Sequence, residues 1–128
     1  MKYAQIAKAF PALNELKKLK LPYSVAKRLY ELHKNVENEF RFLIEEERKL
    51  IDLYAAKRPD GTPNISETGL IRFADPAAAT EYSAAATSLS ETECDLKVTP
   101  ITLREEFMGD MVISPEMIES LSGFIIFD

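Results

Sequence analysis

Between Tyr23 and Lys57 the chain runs without a glycine or proline, and its apolar residues recur at alternating steps of four and three. Val25, Leu29, Leu32, Val36, Leu43, Leu50 and Leu53 or Tyr54 fall on one seam, widened by Phe40, Ile44 and Ile51. That spacing brings side chains onto one face of an α-helix. Glu39 and Glu46 occupy two of the seam positions, so the stripe predicts an asymmetric partner rather than a regular two-stranded coiled coil. Glu37 with Arg41 and Glu45 with Lys49 stand four apart in the favourable order, which supports a solvated helix face.

Upstream, Ile6, Phe10, Leu13, Leu16 and Leu19 mark one face of a first helix within Lys2–Leu19. Pro11 interrupts it, because proline lacks the N–H donor and crowds the preceding turn. The expectation is a short lead-in to Ala9 and a helix with Pro11 in its first turn. Lys17, Lys18 and Lys20 suit the C-terminal end of that helix, where cations meet the negative end of the dipole, and Leu21-Pro22 closes it. The two helices together predict a long hairpin over residues 1–58.

The turn-rich Arg58-Pro59-Asp60-Gly61-Thr62-Pro63-Asn64 separates this hairpin from a module over 65–128. Gly69–Phe73 reads as a short strand, Asp75 as an N-cap and Pro76 as the first residue of a third, alanine-rich helix carrying Ala79, Tyr82, Ala86 and Leu89 on one face. Leu96 and Val98 alternate within an expected strand from Asp95 to Ile101, with Pro100 at its edge. Thr102 and Glu105 have capping-box spacing ahead of a helical turn Leu103–Met108 that Gly109 ends. Ser114-Pro115-Glu116 starts a last short helix through Leu121, and Phe124–Phe127 reads as a final apolar strand. The fold class is therefore α+β, a single domain of 128 residues in which a long N-terminal helical hairpin packs on two or three short strands and short helices.

Composition narrows the chemistry. Cys94 stands alone and so does His33, which leaves no Cys/His cluster for zinc and no internal disulfide. No secretory pattern opens the sequence and no apolar run is long enough to span a membrane, so a cytoplasmic setting is the expectation. The net charge of −5 hides a gradient: +6 over residues 1–34, −1 over 35–58 and −10 over 59–128. Such asymmetry suits either an anionic partner at the basic end or complementation between the two ends.

Candidate catalytic groups are few. His33 has Glu37 one turn away, the spacing of a base and its orienter, but no nucleophile accompanies it, and a solvated helix histidine is the simpler reading. Glu93 and Asp95 beside Cys94 would raise its thiol pKa, the wrong direction for a nucleophile. Glu45-Glu46-Glu47 point about 100° apart on a helix, and Glu91, Glu93 and Asp95 lack the glycine-turned loop of a calcium site. No phosphate-loop, dinucleotide, nucleophile-elbow or zincin motif occurs, so neither catalytic activity nor a cofactor or metal is expected.

The basic corner between the first two helices is more informative. Lys17, Lys18, Lys20, Lys27, Arg28, Lys34 and Arg41 gather there with Tyr23 and Tyr30, a mixture of cations and aromatic faces suited to a phosphate-bearing ligand. Tyr23, Lys27, Tyr30 and Lys34 recur at steps of four, three and four and share one helix face, so Tyr23, Lys27, Arg28, Tyr30 and Lys34 form the candidate binding set. A pI of about 5.0 speaks against broad nucleic-acid binding. A structural reading competes, with Tyr30 at the edge of the core and the acidic C-terminal part serving solubility or masking a basic groove on another protein.

Four stretches, Pro11–Leu16, Lys57–Pro63, Ile71–Pro76 and Ile113–Leu121, together resemble small proteins of phages and prophages, specifically the siphophage family of unknown function numbered 1617. The resemblance implies a viral origin and carries no site residues. The expectations are thus a non-enzymatic phage protein acting on a nucleotide-type anionic ligand or on a host or phage protein, in the service of anti-defence, or alternatively an oligomeric virion or assembly component. A helix of about 35 residues, about 50 Å long at 1.5 Å per residue, presents more apolar face than the small module can cover, so a homo-oligomer is also expected.

Overall fold

The structure, a computed structural model, describes residues 1–128. In chain order it contains α1 (Tyr3–Leu16), α2 (Tyr23–Tyr54), α3 (Pro76–Glu91), β1 (Ile101–Leu103), a 3-10 turn (Glu105–Phe107), α4 (Pro115–Ser120) and β2 (Ile125–Phe127). The fold is α+β. No helix is long and apolar enough to cross a membrane. The chain groups into two compact units, one of Met1–Phe40 with Glu93–Asp128 and one of Arg41–Thr92, so the boundary falls inside α2 rather than at the turn that follows it.

In the first unit α1 is continuous through Pro11, contrary to the interrupted helix expected from that residue. Proline in a helix interior costs about 3 kcal/mol. Against that cost, the helix buries Tyr3, Ile6, Ala9, Ala12, Leu13 and Leu16 along one stripe, while Pro11 itself is exposed. At about 1.5–3 kcal/mol for each large apolar side chain, the stripe outweighs the missing hydrogen bond. Gln5 Oε1 accepts the Lys2 N–H at 2.8 Å and so satisfies one donor at the helix start.

α1 and the first part of α2 run antiparallel, as three cross-helix contacts show. Phe10 stacks on Phe40 with ring centroids 4.5 Å apart and planes inclined by 18°. Asn14 meets His33 and Tyr3 meets Glu39. Leu29, Leu32 and Val36 bury the matching face of α2.

The sheet consists of β1 and β2 in parallel, with Ile101 opposite Ile125, Thr102 opposite Ile126 and Leu103 opposite Phe127. Ile101 and Leu103 face the core and Thr102 faces solvent. Thr102 is therefore a strand residue, not the helix cap that its spacing to Glu105 suggested; the 3-10 turn starts after Arg104 instead. The expected strand Asp95–Ile101 is likewise displaced beyond Pro100, whose ring removes a ladder donor. Ser114 Oγ caps α4 by accepting the Met117 N–H at 3.1 Å, as the sequence signal anticipates. Gly123, at φ +88°, then turns the chain into Phe124 and β2.

In the second unit the expected strand Gly69–Phe73 forms no ladder of its own. Isolated antiparallel bridges join Lys57 to Pro63, Ile65 to Ile71 and Ala55 to Phe73. Three backbone bonds close these segments into a ring: Ala56 N–H donates to Arg72 at 2.8 Å, Arg72 N–H to Asn64 at 2.9 Å, and Asn64 N–H to Ala56 at 2.8 Å. A ring of single bridges pairs these backbone groups without leaving a long unpaired edge. Asp75 caps α3 by accepting the Ala78 N–H at 2.8 Å, and Pro76 stands at the first helical turn.

Candidate ligand groove at the helical corner

Where α1 turns into α2, Leu19, Leu21, Ala26 and Leu29 floor a groove of about 460 Å³ whose rim carries Lys17, Tyr30, Lys34 and Glu37. The connection is short, so the end of α1 and the start of α2 are held against each other and their side chains leave a cleft between them. Lys34 Nζ lies 5.8 Å from the centroid of the Tyr30 ring, within reach of a cation–π contact.

His33 lines the same groove and is not the solvated residue the sequence suggested. It is 6% exposed, packs 5.5 Å from the Phe10 ring, and its Nε2–H donates to Asn14 Oδ1 at 2.6 Å. Burial lowers its pKa below the ordinary 6.5, Lys17 lowers it further, and Glu37 pulls the other way. The ring is therefore neutral near pH 7, held by Asn14 in one tautomer. This geometry positions a hydrogen-bonding ring in the groove wall, between the lysine side chains and the apolar floor.

The candidate set divides. Tyr23, Lys27, Tyr30 and Lys34 are all exposed, with Tyr23 at 80%, and by helical spacing occupy one side of α2. Of these, Tyr30 and Lys34 line the groove. Arg28 turns away from them and lines a smaller hollow of about 200 Å³ with Glu31, Asn35 and the Leu96–Thr99 segment. Lys17, His33 and Glu37 complete the groove in its place. Tyr30 to His33 and Lys34 to Glu37 are both steps of three and His33 to Glu37 is a step of four, spacings that place these side chains together on α2.

A second polar cluster escaped the sequence pattern. Tyr3 Oη–H donates to Glu39 Oε2 at 3.0 Å, and Cys94 packs against both. Burial raises the Tyr3 pKa, and Glu39 adds to the shift. Cys94 is buried, and burial raises its thiol pKa, which disfavours the thiolate. Glu39, which breaks the apolar seam of α2, is thus a partner for a buried tyrosine hydroxyl. The acidic triplet does not converge: Glu45 faces Arg48 at 3.9 Å and Glu46 faces Lys49 at 2.9 Å.

Comparison of the chain with models of known protein families, with curated proteins and with solved structures gave no match.

Proposed function

We propose that the protein is a phage-encoded, non-enzymatic binding protein that sequesters a nucleotide-type anion in the corner groove, countering a host defence that signals through such a ligand. The observation that carries this reading is the composition of the groove: two cationic side chains, Lys17 and Lys34, beside the Tyr30 face over an apolar floor. Its volume of about 460 Å³ falls in the range of small-molecule sites. Each part matches a part of a nucleotide. The lysines suit phosphate oxygens, the Tyr30 ring suits a base, and the Glu37 carboxylate and His33 ring suit hydroxyl and amino groups. The viral setting rests on the resemblance of the four sequence stretches alone.

A thermal-shift panel of mono- and cyclic nucleotides tests the reading. At least one should raise the melting temperature, since a ligand at 100 times its Kd adds about 2.7 kcal/mol of stability. Lys34→Gln and Lys17→Gln should remove that gain, whereas Arg28→Gln should leave it. No stabilisation by any nucleotide would overturn it. A virion or assembly component is the second reading, favoured by the exposed Phe42 and Leu53 of α2.

A further inference from the structure

The C-terminal part of α2 carries a stripe in the order apolar, acidic, basic, apolar, so that reversing it sets apolar against apolar and each charge against its opposite. Phe42, Glu46, Lys49 and Leu53 follow one another at steps of four, three and four, which places them within about 60° of one another on the helix. Phe42 is 48% and Leu53 70% exposed, two large apolar groups bracketing a pair of opposite charges. Within the helix Lys49 Nζ donates to Glu46 Oε1 at 2.9 Å. The side chain of Lys49 is 69% exposed and that of Glu46 31%, so both charges also face outward.

We infer that this stripe is a two-fold interface, on which α2 of a second copy of the chain docks antiparallel with the axis between Glu47 and Arg48. In a two-fold contact, if one residue meets another, the second meets the first. That axis sets Phe42 against Leu53 of the second copy and Glu46 against Lys49 of the second copy, each twice, because both pairs of residue numbers are centred on the same point. The four charges close into a ring in which every Glu46 has a lysine on its own helix and another across the interface. The apolar pairs at the two ends shield that ring from water, where a charge pair is worth more than on an open surface. A parallel alignment is rejected by the same residues, since it sets Glu46 on Glu46 and Lys49 on Lys49. Polar residues at seam positions are a known means of fixing register and partner number. The whole stripe lies on residues of the second unit and is independent of the corner groove.

Light scattering on chromatographed protein over a concentration series tests the inference. The wild-type mass should rise towards twice the 14.5 kDa of one chain. E46K alone and K49E alone place like charges across the interface and should remain at one chain mass, with circular dichroism confirming that their helices persist. The double variant E46K/K49E, and an equimolar mixture of the two single variants, should regain the doubled mass. Alignment is read by cross-linking. Phe42→Cys mixed with Leu53→Cys should form a disulfide between the two proteins. Leu53→Cys alone should not, since the antiparallel axis sets its copies about 16 Å apart along the helix, beyond the roughly 7 Å a disulfide spans. A wild-type mass of one chain throughout, single variants that dimerise like the wild type, a mixture that fails to, or a self-cross-linked Leu53→Cys protein would each overturn the interface.

Discussion

The two compact units are held together by different means. In the first, α1, the start of α2, the short sheet and Leu121 with Phe124 supply almost all of the buried apolar side chains. In the second, only Leu43 and Ala55 are buried apolar residues, and α3 buries none. What organises the second unit is the ring of backbone bonds through Ala56, Asn64 and Arg72, two glycine turns, a capped helix and the Tyr82 ring set 5.4 Å from Phe73 and 6.4 Å from Tyr54. A unit held by burial resists change through its volume, whereas a unit held by turns and caps resists through its backbone geometry.

The largest effect should come from truncating the first unit's core. Leu13→Ala, at a fully buried position, should cost about 2–5 kcal/mol in denaturant unfolding, while Leu70→Ala, at 70% exposure in the second unit, should stay within about 0.5 kcal/mol. Comparable losses at both sites would erase the contrast between the units.

Next in size is the turn geometry. Gly61 holds φ +87° where the N–H of that residue bonds back to Arg58, a conformation in which a Cβ costs about 1–2 kcal/mol, even though a Cβ there meets no neighbour. Gly61→Ala should lower stability by that amount, detected as faster hydrogen exchange across residues 55–73. Replacement without effect would show that the turns do not organise the unit. Asp75→Ala removes the cap of α3 and should cost about 1 kcal/mol, read as fraying of the first turn after Pro76 by amide exchange.

The smallest effect separates the units by pH. His33 has a folded-state pKa below 6.5, because burial and Lys17 disfavour the charged ring. Below pH 6.5 the unfolded chain binds a proton that the folded chain does not. The stability owed to the neutral ring is therefore complete above pH 6.5 and is lost as pH falls towards the folded value. Denaturation midpoints should fall between pH 7.5 and 5.5, and His33→Gln, which keeps a donor for Asn14, should flatten that fall. An equal fall in the variant would assign the pH dependence to other groups.

Much of this architecture is legible in the sequence, and the misses have physical causes. The periodicity of α2 and the caps at Asp75 and Ser114 are local signals, and the structure follows them. Pro11 misled because a local rule was overridden by the buried stripe around it. Thr102 misled because strand pairing with β2, more than twenty residues away, outweighs a capping spacing. His33 and Glu39 could not be placed, since what defines them is the residue across the hairpin, Asn14 and Tyr3. The basic, tyrosine-bearing face was readable as a face. The groove was not, because its floor joins Leu19 and Leu21 of the connection to Ala26 and Leu29 of α2, and Arg28 points elsewhere.

The most direct measurement of the groove is the nuclear magnetic resonance of its single histidine during a nucleotide titration. The His33 ring lies in the groove wall beside Lys17 and Lys34, so a nucleotide seated there should move its ring-proton resonances in a saturable way, and Lys34→Gln should weaken the response at least tenfold in ligand concentration. Stationary His33 resonances while a nucleotide demonstrably binds the protein would contradict the assignment of the site to this corner.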